Sequence, residues 1–235
     1  MILSHRSFEN PLEISEDAVS VLRVENQKQL SAYISELKQQ LGGGAGNFIL
    51  SEGGKEIDIS NRVIMAIDVF SLDLNERSIL NKLYSKMSTE AHDETNYLLT
   101  SELISHLEKY LYQIAKQQPF PIIFSENIEI INIFKLAEVR FLLSEDSLLE
   151  KVCDFVTVCA NYVKPKLFIF VNLKNFLTKD DLMQLYSFVF YNKHKLLLIE
   201  GTSSETIPCE RTRIIDADRC EIELLPVNIN YSEHS

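Results

Sequence analysis

Residues 167–200, LFIFVNLKNFLTKDDLMQLYSFVFYNKHKLLLIE, decide the fold. Two wholly apolar runs, Leu167 to Val171 and Leu196 to Ile199, flank a stretch with helical spacing. Thr178 with Asp181 three residues on predicts a reciprocally capped helix start. Continuous apolar strands separated by a helix imply a βαβ unit with a right-handed crossover, buried on both faces. The same alternation extends backwards. A helix is expected over about Glu126 to Ala137, a strand over Val139 to Leu143, and a helix from a Ser144 cap to about Tyr162. Near the start, VSVLRV (Val19 to Val24) is strand-like. Asn26 and Gln29 predict a capping box, and Leu30, Ile34, Leu37 and Leu41 mark one helical face that Gly42 ends. Asn47 to Ser51 is a further strand candidate, followed by a turn at Glu52-Gly53-Gly54-Lys55.

Between these parts, residues 61 to 118 contain neither Gly nor Pro. Leu103, Leu107, Tyr110, Leu111 and Ile114 form an apolar stripe that Pro119 and Pro121 close. The pattern predicts a long antiparallel helical insertion with its tip at Ser88 to Asp93. The expected fold class is therefore α/β, a mostly parallel-sheet head with an inserted helical leg. The head takes residues 1–60 and 122–235, and the leg takes 61–121.

The 235 residues carry 23 Lys and Arg against 34 Asp and Glu, a net charge of −11. That excludes a generally basic nucleic-acid coat but allows a local basic site. Residues 135–195 hold nine basic and seven acidic residues, leaving 14 and 27 for the rest of the chain. The cations are thus concentrated in the second half. No apolar run reaches the roughly 18 residues of a membrane helix, and the N-terminus has no signal-peptide pattern. A cytoplasmic protein without membrane contact is expected. The four Cys and five His show no zinc or disulfide spacing, so free thiols are expected.

Catalytic motifs are missing from the sequence. The glycines of 42–46 follow a helix and lead into a strand, the reverse of a phosphate loop, and no G-x-x-x-x-G-K-[ST] occurs. There is no dinucleotide fingerprint, H-E-x-x-H, G-x-S-x-G or nuclease-type acid–lysine cluster. Asn172 and Glu200 end neighbouring apolar strands, where ligands of a parallel sheet bind. A structural hydrogen-bonding role is favoured for both. A nucleotide hydrolase or nuclease using them is one alternative reading, and a protein-only assembly scaffold is another.

Several stretches in order resemble the small DNA-end-binding ring proteins of type II-A CRISPR–Cas systems. They are IDVFSLDLN at 67–75, with Asp68, Asp73 and Asn75, IFKLAEVRF at 133–141, and SLLEKVCDFVTV at 147–158, with Glu150 and Lys151. LFIFVN, FLTKDDL at 176–182 and LLLIE at 196–200 complete the set. The loops Gly42 to Gly46 and Gly201 to Arg211 depart from the pattern, as in a divergent subfamily. The resemblance implies a head like a degenerate phosphate-loop ATPase that takes no nucleotide, and a homotetrameric ring whose hole holds double-stranded DNA ends without catalysis. It implies a part in spacer acquisition beside the CRISPR integrase proteins and effector nuclease. It places Lys135, Arg140 and Lys151 at DNA-contact positions, with Lys164, Lys166 and Lys174 as further candidates. It also implies calcium, for which Glu126 and Glu129 are the candidate ligands.

Overall fold

The computed structural model describes residues 1–125, 127–142, 147–201 and 205–226. In chain order the elements are β1 (Ile2–Ser4), β2 (Leu12–Glu13), β3 (Val19–Val24), α1 (Gln27–Leu41), β4 (Ile49–Glu52), β5 (Lys55–Ile57), α2 (Ile59–Arg62) and β6 (Val63–Ala66). Then come α3 (Arg77–Ala91), α4 (Tyr97–Lys116), α5 (Ile130–Leu136), α6 (Leu148–Tyr162), β7 (Leu167–Val171), α7 (Lys179–Tyr191), β8 (Leu196–Glu200), β9 (Glu210–Ile215) and β10 (Glu221–Leu224). Short 3₁₀ turns follow β6 at Val69–Ser71 and β7 at Leu173–Asn175. The chain divides into two compact units, residues 1–72 with 144–235, and residues 73–143.

In the first unit a six-stranded sheet runs in the order β10-β9-β3-β8-β7-β6, parallel except for β10. Every residue of β7 and β8 is buried, because both faces of the sheet are covered. On one face, Leu22, Leu167, Ile169, Leu197 and Ile199 join one apolar cluster with Tyr33 and Leu37 of α1. Leu3, Leu12 and Leu50 of a four-stranded antiparallel sheet, order β2-β1-β4-β5, enter the same cluster. The alternate residues Phe168, Phe170, Leu196 and Leu198 face the other way and are equally buried. Opposite them, α6 buries Val152, Phe155, Val156 and Cys159, and α7 buries Leu182, Leu185, Tyr186 and Val189. Both sets have the i, i+3, i+4, i+7 spacing of one helical face. Each fully buried Leu or Ile stabilises the fold by about 1.5–3 kcal/mol relative to exposure.

The small sheet is tied to the large one by charges. Lys195 reaches Glu16 at 2.7 Å and Glu52 at 3.2 Å, and Glu52 also pairs with Lys166 at 3.1 Å. Gly53 and Gly54 both have positive φ, 59° and 76°, the requirement of the tight hairpin turn between β4 and β5.

Local signals in this unit hold where the cap chemistry is complete. Thr178 and Asp181 form the reciprocal box at the start of α7. At α1 only half the box forms. Asn26 accepts from the Lys28 and Gln29 amides, but the Gln29 amide group donates to the Tyr33 hydroxyl instead of turning back. The helix does not end on a left-handed Gly42, whose φ is −81°; Gly43, at 82°, takes that conformation. The strand expected at 47–51 is β4, at Ile49–Glu52. The expected cap Ser144 lies outside the described residues, and Ser147 caps α6 by accepting from the Glu150 amide.

The expected boundaries at 60/61 and 121/122 also shift. Val63–Ala66 is not the start of the helical insertion but the edge strand β6, paired in parallel with β7. In the second unit, α3 and α4 are joined across residues 92–96, later than the expected tip at Ser88 to Asp93. Asp93 accepts from the Thr95 and Asn96 amides, and the buried Thr100 hydroxyl donates to the Ala91 carbonyl. The helix expected over 126–137 is the shorter α5, which packs against α3 within this unit. Of the expected strand Val139 to Leu143, the described residues 139–142 join no ladder. The Asn75 side-chain amide instead accepts from Phe141 N–H at 2.8 Å and donates to its carbonyl at 3.2 Å, while Tyr84 holds the Val139 carbonyl. One side chain thus supplies the pairing that a neighbouring strand would have given.

Candidate nucleic-acid interface

In a parallel sheet the carboxyl ends of the strands are the usual ligand site. Here that edge is closed around β3 and β8. The central strand β3 passes into α1 through only Glu25 and Asn26. The first amides of α1, which a bound phosphate would need, are taken by the Asn26 side-chain oxygen at 3.1 and 3.2 Å. The crevice between β3 and β8 is filled as well. A Cβ placed on Gly201 would lie 2.5 Å from Leu30 Cδ2, so the helix packs directly on the backbone that leaves β8.

Asn172 and Glu200 end β7 and β8 as expected, and both are engaged inward. Asn172 adopts the left-handed conformation at φ 55° and accepts from the Gly201 amide at 2.9 Å. Glu200 is fully buried, with one oxygen accepting from the Lys174 amide at 3.2 Å and the other without a partner among the described residues. Burial pushes its carboxyl up to about 7, opposed by the Lys174 amide and charge and reinforced by the charge of Glu210. A general base must come within hydrogen-bond reach of its substrate, and a wholly buried carboxyl offers no such approach.

The six candidate cations are not equivalent. Lys174 is not a surface group at all: its side chain is 3% exposed and faces a fully buried Glu210. Its ammonium donates to both Glu210 oxygens, at 2.8 and 2.9 Å, and to the Glu205 carbonyl at 2.8 Å. Tyr186 and the Ile207 amide supply the remaining donors to Glu210, at 2.6 and 3.1 Å. Burial, together with the contact with Glu210, raises the Tyr186 phenol well above its ordinary value. Lys174 is therefore an internal counter-ion, which corrects its assignment to DNA. Lys166 is exposed but paired with Glu52. Arg140 is exposed and, among the described residues, pairs only with the exposed Glu138, two residues away, at 2.8 Å. Such an exposed pair contributes little to stability. Lys135 lies in the last turn of α5, Lys151 lies in the first turn of α6, and Lys164 follows α6 in a left-handed conformation. All three are exposed and make no ion pair among the described residues. Lys135 and Arg140 belong to the helical unit; Lys151 and Lys164 belong to the α/β unit.

Metal ligation has a weaker basis. Glu126 lies outside the described residues. Glu129 precedes α5 and makes no side-chain capping bond. Among the described residues no three His, Cys, Asp or Glu side chains gather as a metal site. Calcium takes six to eight oxygens, so one carboxylate does not fit it. The four cysteines are free thiols. Among the described residues no helix is long and apolar enough to cross a membrane.

Sequence reasoning missed Glu210 and Tyr186, the partners that hold Lys174. The available signal was Tyr186 on the apolar face of its helix, since a buried phenol requires an acceptor.

Residues 40–219 match the model of the family described as CRISPR-associated protein (Cas_Csn2). Among curated proteins, the CRISPR-associated protein Csn2 of Enterococcus faecalis is 23% identical over 144 residues, 59% of this chain. Those residues span 63% of the Enterococcus protein, somewhat less than two thirds of its length. The Csn2 of Streptococcus agalactiae is 22% identical over 165 residues, covering 68% of this chain and 71% of that protein. Among solved structures, a putative ABC transporter ATP-binding protein from Pyrococcus furiosus aligns with 90% of this chain and 97% of its own. Its TM-score is 0.38 and its identity 9%.

Proposed function

Because this chain belongs to the Csn2 family of CRISPR-associated proteins, we propose that it binds double-stranded DNA ends without reading sequence and without catalysis. In this reading it forms a homotetrameric ring in the cytoplasm and serves spacer acquisition beside the CRISPR integrase proteins and effector nuclease. The observation that carries the reading is the family match, whose span contains every candidate cation. Lys135, Arg140, Lys151 and Lys164 are the phosphate contacts, because each is exposed and, among the described residues, none is held by a buried carboxylate. Long cationic side chains on phosphates position a duplex without specifying its sequence. The closed carboxyl edge and the buried Glu200 support a non-enzymatic role over a hydrolase or nuclease. Calcium is kept in the proposal from the family resemblance alone; a bound cation would relieve carboxylate repulsion in a chain of net charge −11.

The test compares linear with relaxed circular duplex across a salt series. Linear duplex binds and circles do not, with six phosphate contacts weakening affinity roughly 10³-fold between 50 and 200 mM salt. Arg140→Glu abolishes binding while native mass spectrometry still shows the tetramer. Equal affinity for circles, or binding that ignores salt, would leave the protein-only scaffold as the better reading. Chelation followed by calcium add-back, read by sedimentation, tests the metal: a tetramer indifferent to both removes calcium from the proposal.

A further inference from the structure

Two phenylalanines stand together in solvent at the carboxyl edge of the large sheet. Phe70 follows β6 and Phe176 follows β7, so the parallel pairing of these strands brings their two turns side by side. Phe70 is 63% exposed and Phe176 50%, and their rings meet edge to face with centroids 4.9 Å apart. Ile67, in the same connection as Phe70, is 42% exposed. The pair is held rather than loose. Asp68 accepts from the Phe70 amide at 3.0 Å and from the Ser71 hydroxyl at 2.5 Å. Phe176 N–H donates to the Leu173 carbonyl at 3.1 Å, while Leu173 and Leu177 on either side are buried. Converging, pre-organised aromatic rings are the side chains that anchor binding interfaces.

The charges beside the rings separate the possible occupants. The Ser71 hydroxyl and Phe70 amide hold the Asp68 carboxyl below its ordinary value, and it remains an exposed anion. Lys179 opens α7 and is paired with Glu205 at 2.6 Å; Asp180 beside it is exposed, while the Asp181 carboxylate accepts from the Thr178 amide and hydroxyl. Lys174 is buried against Glu210. The exposed charges flanking the rings, Asp68 and Asp180, are therefore anionic, and α6, which packs on the Phe70 turn, carries Glu150 beside Lys151. Anions repel a phosphate backbone, whereas a Lys or Arg is attracted both to carboxylates and to aromatic faces.

From the Phe70–Phe176 pair and its carboxylates, we infer that this edge is a docking site for an apolar, lysine- or arginine-bearing segment of another protein. The site goes beyond DNA binding and does not depend on it. The probe is a short synthetic amphipathic peptide of leucine and lysine, titrated against the wild type and a Phe70→Ser/Phe176→Ser double variant. Both substitutions replace exposed rings and leave the net charge unchanged, so general attraction to an acidic protein survives them. The wild type binds the peptide about tenfold or more tightly than the variant. A leucine–glutamate peptide does not bind, and the variant keeps the wild-type melting temperature and duplex affinity. Equal peptide binding by the two proteins, or none by the wild type, overturns the site. So does a thymidine oligonucleotide whose binding the double substitution removes, because the rings would then stack bases.

Discussion

Helices α6 and α4 are both amphipathic, yet they meet opposite fates. In the α/β unit, α6 buries Val152, Phe155, Val156 and Cys159. In the helical unit, α4 is five residues longer and buries only Thr100. Leu98 and Leu99 are 72% and 69% exposed, and Leu103 and Tyr110 stand about half in solvent. Helix α6 thus satisfies its apolar face within one chain. Helix α4 does not, and in the proposed ring that exposed face would be open to a neighbouring subunit. Substitutions in the first should therefore change folding, and substitutions in the second should change assembly.

The largest effect is expected at Lys174. Lys174→Met leaves Glu210 buried without its cation, which costs about 3–5 kcal/mol in urea unfolding. An unchanged midpoint would show that Lys174 is not the counter-ion on which the α/β unit depends. Leu197→Ala, in a fully buried strand, should cost about 2–5 kcal/mol. A smaller effect comes from Glu200, whose folded carboxyl titrates near 7, above the 4.5 of an exposed glutamate. The folded state then holds one proton more than the unfolded state between these values, so stability falls as pH rises from about 4.5 through 7. Glu200→Gln removes that slope, on the order of 3 kcal/mol across the window. Parallel pH profiles for the wild type and Glu200→Gln would contradict it. The smallest folding effect belongs to Leu103→Ser on α4, within about 0.5 kcal/mol at concentrations where the chain is monomeric. The same change should shift sedimentation toward smaller species. Loss of folding without loss of assembly would reverse the contrast between the two units.

The contrast also sorts what the sequence made legible. Strands β7 and β8 are readable because a short, wholly apolar run between polar residues fits a strand buried on both faces and little else. Strand β3 shows through the valines of VSVLRV, and α7 through a cap box that is local. Strand β6 is hidden, since VIMA is four residues long and merges with an apolar helical pattern on either side. The Val139–Leu142 stretch looks like a strand but takes its hydrogen bonds from Asn75, 66 residues away. Lys174 illustrates the same limit at the candidate interface. Its charge is visible in the sequence, but whether it faces solvent depends on Glu210, 36 residues on. The cations that remain candidates are those whose exposure follows from lying at helix ends or on outer faces.

The internal Lys174–Glu210 pair gives the molecule two kinds of positive charge with different responses to electrolyte. At about 1 M salt the screening length shrinks to roughly 3 Å, so exposed cations release a polyanion while a buried pair is barely touched. A concentrated-salt wash should therefore strip any nucleic acid held at the proposed contacts Lys135, Arg140, Lys151 and Lys164 and leave the sheet and its surrounding helices intact. That provides a route to ligand-free starting material without denaturant.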